Sequence, residues 1–299
     1  MRPSLAQWLT AAILLFAGVA LAEPLGYASG FRDLYRIDLA NGQSTSIGRI
    51  GFNDVEGLAL SPSGTLYAAV DGTAQVGSNT SSTTDFLIRI NPATGAGSLV
   101  GQLPSLQGRG PNEQLDYGLA FTCDGRLWMS AETTAELWEV NPATAELRLV
   151  GNTGASISGL AGRGSELYGV SVDPNPRLFR IDTGTAAATT IGPLNAGGSV
   201  LNVGLDFDSA GLLWATLDPV DVVPSRMAKI SLQSGLASEI KNLSSTSGIG
   251  IKALAIAAPA PCGPVVQEPV MVPGPTAPLL LLLAGVASLL GGRRLRSRA

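Results

Sequence analysis

The chain contains no histidine. That absence removes the commonest general base, the commonest transition-metal ligand and every Ser–His–Asp or Cys–His catalytic arrangement. Charge is also scarce, at 14% of 299 residues, and aromatic residues make up only 5%. No Gly-rich phosphate loop, zinc-ligand spacing or EF-hand loop is present. Positive charge is short where it matters. Without Arg2 and the tail arginines Arg293, Arg294, Arg296 and Arg298, 14 basic residues face 23 acidic ones, a net −9 against −4 for the whole chain. An acidic folded region repels phosphate, which excludes nucleic acid and anionic lipid as its partners. Only two cysteines occur, Cys123 and Cys262. In an exported chain such a pair predicts a disulfide; the alternative is two buried thiols.

Glycine, by contrast, is abundant at 37 residues and is spread among short apolar runs. That combination predicts many turns and short strands, hence an all-β fold. The two ends differ from the rest. Residues 1–22 have the form of a secretory signal: Arg2, the apolar run LTAAILLFAGV from Leu9, and the small-x-small site Ala20-Leu21-Ala22. The alternative is an uncleaved anchor helix. Residues 23–258 form the expected folded domain. Residues 259–275 are a proline-rich linker, whose composition suits an extended spacer. Residues 276–299 carry an apolar stretch, LLLLLAGVASLLGG from Leu279, followed by RRLRSRA. As a helix, Leu279–Gly292 spans about 21 Å against a bilayer core of about 30 Å, so the segment crosses only with help from Val272–Pro278. The arginines place its end on the cytoplasmic side.

Val272-Pro273-Gly274-Pro275, the apolar stretch and the cluster at Arg293 and Arg294 together resemble the bacterial C-terminal sorting signals of the PEP-CTERM and IPTL-CTERM type. That resemblance implies delivery by the export machinery and removal of the tail by an exosortase-like membrane protease. It also implies membrane contact through the C-terminal helix before processing. Gly274 departs from the PEP pattern, which has Glu there. A plain C-terminal membrane anchor is the alternative.

Two phrases alternate along the middle of the chain. One runs LYRIDLANGQSTSIG from Leu34, LIRINPATGAGSLVG from Leu87, LWEVNPATAELRLVG from Leu137, LFRIDTGTAAATTIG from Leu178 and MAKISLQSGLASEI from Met227. The other runs EGLALSPSGTLYAAV from Glu56, YGLAFTCDGRLWMSA from Tyr117, SGLAGRGSELYGVS from Ser158 and VGLDFDSAGLLWATL from Val203. Each phrase is strand, turn, strand, and two such hairpins make a four-stranded propeller blade. The repeated Gly-Leu falls at 57, 118, 159 and 204, with Ala253-Leu254 in fifth place. That spacing lies in the range of propeller blades. The last repeat lacks its second strand, and LGYAS (Leu25–Ser29) supplies an orphan of that type at the start. The expectation is a β-propeller of five four-stranded blades closed by the N-terminal strand, with a signal helix and a hydrophobic C-terminal helix outside it. Six blades, with one cryptic, is the alternative.

Tyr67, Trp128, Tyr168 and Trp214 recur at one register, with Tyr27 in the fifth blade, which marks them as packing between blades. Asp71, Asp173 and Asp218 stand before Gly or Pro and read as turn residues. The loops ahead of the innermost strands hold Asp54, Glu56, Asp116, Asn202 and Lys252. Asp54, Glu56, Asp116 and Asn202 offer oxygen ligands for a hard cation such as Ca²⁺. They distantly resemble the metal site of calcium-dependent lactonase-type propellers. Their registers disagree, because Glu56 precedes its glycine by one residue while Asp116 and Asn202 precede theirs by two. On an alternating strand those positions face opposite ways. The first expectation for function is therefore a non-enzymatic, surface-sorted propeller without a cofactor, binding a polysaccharide, a matrix component or a protein. The alternatives are a Ca²⁺-dependent hydrolase of lactones or sugar esters and a self-associating scaffold.

Overall fold

A computed structural model describes residues 24–71, 85–103, 116–172, 174–220, 224–244, 250–257 and 262. The signal segment, the linker and the tail, with Val272, Pro273, Gly274, Pro275, Arg293 and Arg294, lie outside the described residues. The chain divides into two units, Met1–Gly263 and Pro264–Ala299, and every described residue belongs to the first. Among the described residues no helix is long and apolar enough to cross a membrane.

Five four-stranded antiparallel sheets form the blades. Blade 1 holds β1 (Leu25–Ser29), β2 (Asp33–Asp38) and β3 (Ser44–Arg49). Blade 2 holds β4 (Val55–Leu60), β5 (Leu66–Asp71), β6 (Asp85–Ile90) and β7 (Gly97–Gln102). Blade 3 holds β8 (Tyr117–Phe121), β9 (Leu127–Ala131), β10 (Glu136–Val140) and β11 (Leu147–Asn152). Blade 4 holds β12 (Ile157–Arg163), β13 (Glu166–Ser171), β14 (Arg177–Ile181) and β15 (Ala188–Pro193). Blade 5 holds β16 (Val200–Phe207), β17 (Leu213–Pro219), β18 (Arg226–Ile230) and β19 (Ala237–Asn242). The last strand, β20 (Ala253–Ile256), returns to blade 1 and pairs with β1 from Gly26↔Ile256 to Ser29↔Ala253. The five-bladed ring is therefore closed by strands from both ends of the domain, and β20 covers the inner edge that β1 would otherwise leave open.

Apolar side chains collect in five clusters, each straddling two neighbouring blades. Tyr67, Trp128, Tyr168 and Trp214 are all buried there. Tyr67 packs on Phe121 of the next blade and Tyr168 on Phe207, each at 5.5 Å between ring centroids. The indole N–H of Trp128 donates to Thr122 Oγ1 and that of Trp214 to Asp208 Oδ2, both at 2.8 Å. These bonds anchor the rings to the turns below them and leave no buried donor on either indole.

The glycines of the inner strands explain the repeated Gly-Leu. A β-carbon on Gly118 would lie 2.5 Å from Ser158 O, and one on Gly204 2.4 Å from the Ala253 carbonyl carbon and Leu254 N. Neighbouring inner strands approach so closely that a side chain there has no room. The axis is correspondingly shut: the space among Gly57, Gly118, Gly159, Gly204 and Ala253 is only about 10 Å³, at the lower limit for one water. Among the described residues this leaves no room for a ligand along the axis.

The outer hairpin turns at the end where the inner strands finish, called the bottom here, share one construction. Asp38, Asn91 and Asn141 accept from the backbone N–H two residues on at 2.9 Å, and Asp182 does so at 2.8 Å. This is the Asx turn that Asp and Asn favour, and it is why one phrase recurs in four blades; in blade 5 Ser231 Oγ takes the same place, accepting from Gln233 N at 3.3 Å.

Candidate functional site

At the opposite end, the top, the inner strands begin, and each blade sends a polar side chain toward the axis. Blade 2 gives Asp54 and Glu56, blade 3 Asp116 and Glu132, blade 4 Ser158, blade 5 Asn202 and Asp218, and blade 1 Lys252. Lys252 Nζ donates to Asp54 Oδ1 at 2.5 Å and to Glu56 Oε1 at 2.7 Å, and stands 4.0 Å from Asp116 Oδ1. Glu56 Oε2 accepts from Tyr117 N at 3.1 Å, and Ser158 Oγ accepts from Val203 N at 3.2 Å. In both cases a side chain from one blade accepts from a backbone donor on the inner strand of the next blade, which ties the two blades together at the top.

Backbone irregularity aims these groups. The pairing of β4 with β5 skips from Val55 to Gly57, and that of β12 with β13 from Ile157 to Gly159. Glu56 and Ser158 are the extra residues, and a bulge turns an extra residue out of the alternation of its strand. The register conflict in the sequence is resolved in this way, and Asp54, Glu56 and Asp116 meet around Lys252. Asp54 itself has a left-handed backbone, φ 49°, which Asp tolerates better than most residues. Asn202 does not join them. It bonds to Asp218, which also accepts from Ser225 Oγ at 3.1 Å.

Burial governs the electrostatics. It pushes the Glu56 carboxyl well above the ordinary value, with the Lys252 ammonium pulling the other way. Burial on its own would lower Lys252, but the carboxylates of Glu56 and Asp54 outweigh it and hold the ammonium above its ordinary value. Burial and the neighbouring Asp116 raise Glu132 to about 8, against an opposing hydrogen bond from Ser158. Glu132 Oε2 is buried with no hydrogen-bond partner among the described residues. Burial also raises Asp218, opposed by Ser225 and Asn202. Burial therefore favours the neutral forms of Glu132 and Glu56, while the acids around Lys252 keep it an ammonium. Among the described residues no group of three or more Cys, Asp or Glu is arranged to hold a metal ion. The position among Asp54, Glu56 and Asp116 that a cation would take is filled by Lys252 Nζ.

Phe31, in the β1–β2 turn, is 44% exposed beside the ring, with Lys252 Nζ 5.8 Å and Arg32 Cζ 5.3 Å from its centroid. Sequence reasoning missed Phe31, Glu132 and Ser158, and took Asp218 for a turn residue. One signal was present. Asp71, Glu132 and Asp218 each stand five residues after the leucine that opens the second strand of their blade: Leu66, Leu127 and Leu213.

The bottom carries the Cys123–Cys262 disulfide, with Cα atoms 5.1 Å apart. An apolar hollow beside it is lined by Leu58, Leu60, Pro62, Leu119, Phe121 and Cys262. Asp206, raised by burial to about 7, lies at the same end and accepts from Ile256 N at 2.6 Å and Phe207 N at 2.8 Å.

The crystal structure of a nidogen/laminin complex resembles this propeller with a TM-score of 0.50 and 12% identity, over 79% of this chain and 99% of that one. The crystal structure of a protein of unknown function from Bacteroides caccae does so with a TM-score of 0.50 and 10% identity, over 78% and 98%. At such identities the likeness concerns the fold alone. No curated protein matches the chain. A family profile described as "Repeat of unknown function (DUF6923)" matches residues 58–216, more than half of the sequence and a run from β4 of blade 2 to β17 of blade 5. The chain belongs to that repeat family.

Proposed function

We propose that the protein is an exported, non-enzymatic propeller whose top face binds a surface polymer of neutral or positive charge: a polysaccharide, a matrix component or a protein. One observation carries this reading. All five blades converge on a single polar ring above a closed axis, with the exposed Phe31 at its rim. An apolar contact beside convergent polar groups is the usual make-up of a binding surface, and a net-acidic ring selects against anionic partners. The chain has no histidine, and its buried lysine is held as an ammonium, so neither supplies a base at neutral pH. Export rests on the signal at residues 1–22, and surface sorting, with removal by an exosortase-like protease, rests on the tail that starts at Val272. The test is binding of the purified protein to cell-surface material and to isolated exopolysaccharide. Saturable binding that Asp116→Ala or Phe31→Ala weakens at least tenfold supports the reading; no binding to any surface fraction sinks it.

A second reading, a Ca²⁺-dependent hydrolase, draws on Glu132, raised to about 8 among the other acids of the ring, since perturbed acids gather at functional sites. In that case Asp54 and Glu56 must release Lys252 to take the ion. A ligand that binds only the folded state raises its melting temperature. A rise of several degrees in millimolar Ca²⁺ over EDTA favours the hydrolase, and an unchanged melting temperature removes it.

A further inference from the structure

We propose that the Cys123–Cys262 disulfide is a clasp that keeps tension on the C-terminal tail away from the strand that closes the ring. This inference rests on the surface-tethered reading for the source of the tension, and on the fold alone for the device.

The closing strand is the weak point of the molecule under a pull from its C-terminal side. β20 has four residues, the fewest of the twenty described strands. All four are at most 3% exposed, so its departure would uncover the inner seam of blade 1 and the free edge of β1. Its last anchors are single hydrogen bonds: Ala257 N donates to the backbone Leu25 O at 2.8 Å, and Ile256 N to the Asp206 carboxyl at Oδ2. A pull applied at residue 257 meets those bonds one after another, and each is worth only about 1–3 kcal/mol net.

The disulfide changes where such a pull arrives. Cys262 follows Ile256 by six residues, yet its partner belongs to blade 3, two blades round the ring from blade 1. Cys123 sits in the turn between β8 and β9, where its own N–H donates to Gly164 O of blade 4 at 2.8 Å. Tension entering at Cys262 therefore passes into a turn fixed to two complete blades, and β20 is left unloaded. The bond encloses 139 residues of sequence separation, so β20 also stays covalently within reach of its slot if it frays. Cys262 lies near the start of the proline-rich linker, residues 259–275, and this suits the role, because the tail that is pulled lies beyond it. Reduction removes the protection without touching the top ring.

The test is optical-tweezers stretching of the full chain. One handle sits on the C-terminal tail, and the other on a peptide tag in the exposed Gly197–Ser199 turn of the top face, which mimics a bound ligand under load. The oxidised protein is expected to resist until one main rupture. After reduction in place, a short early step of about 35 Å is expected, the length of the ten residues from Ala253 to Cys262. The Cys123→Ser/Cys262→Ser pair should behave as the reduced protein does, and reduction of folded wild type covers the case in which that variant does not fold. Identical traces before and after reduction would overturn the proposal. Surface binding is assayed separately on the same tagged protein. A failure there removes the tether reading and leaves the clasp result standing.

Discussion

The two ends of this propeller are built by opposite rules. At the bottom, one turn is repeated blade after blade, with Asp38, Asn91, Asn141 and Asp182 doing the same local task. At the top the connections differ in length and sequence from blade to blade, and two segments longer than ten residues that join described strands there, 72–84 and 104–115, lie outside the described residues. The bonds of the repeated bottom turns are short in sequence, two residues apart. The ion pair at the top is long, with Lys252 and Asp54 separated by 198 residues. Repetition therefore marks the end that folds the chain, and its interruption marks the end available for a ligand, in keeping with function residing on loops set by a rigid scaffold.

Several changes should break or sharpen that contrast. Lys252→Met leaves the buried Glu56 and the neighbouring Asp54 without their cation, which costs about 3–5 kcal/mol; denaturant unfolding measures it. Loss of the disulfide by Cys262→Ser should cost up to about 5 kcal/mol for a loop of this size. The larger share of the architecture's polar strength would thus sit at the top, and its covalent strength at the bottom.

The pH profile comes next. Glu132 at about 8 and Asp206 at about 7 both lie above their ordinary values of 4.5 and 3.8. Such groups stabilise the fold fully below their unfolded values and lose that contribution as pH rises through the folded ones. The free energy of unfolding should therefore fall between pH 5 and pH 8, by an amount on the order of 3 kcal/mol for Glu132 at 1.36 kcal/mol per unit; denaturant unfolding across that range measures it. Glu132→Gln should flatten the upper part of that fall, and a profile equally steep in the variant would assign the effect to the bottom, at Asp206.

Gly204→Ala places a β-carbon 2.4 Å from Ala253 and Leu254. It should cost about 1–3 kcal/mol by overpacking and should spread the top ring. Asn141→Ala, in a bottom turn, should cost about 1 kcal/mol or less, because one local side-chain bond to the backbone is lost, and should leave the ring unaltered.

The fold was legible because it is periodic. Two alternating phrases gave the blades, and LGYAS gave the closing blade, whose other half waits at Ala253–Ile256. The site was legible only in part. Asp54, Glu56 and Asp116 stood out as loop carboxylates, but strict alternation set Glu56 against Asp116, and a bulge cannot be read from residue types. Lys252 was visible as a loop residue, yet nothing local shows that it reaches across the join of the ring to neutralise two acids. Asp218 looks like any aspartate before proline. What places it beside Asn202 is the shifted pairing of β16 with β17, where Asn202 faces Asp218 directly. Local grammar reveals repeats, while the site depends on their irregularities.

The central claim is that ligand binding belongs to the top face. It is tested most directly by measuring binding of one surface-polymer fraction to four proteins side by side: wild type, Phe31→Ala, Asp116→Ala and the exposed bottom-turn variant Gln233→Ala. The account expects wild type and Gln233→Ala to bind alike and the two top-face variants to lose at least tenfold in affinity. Equal binding by all four, or a loss confined to Gln233→Ala, would contradict it.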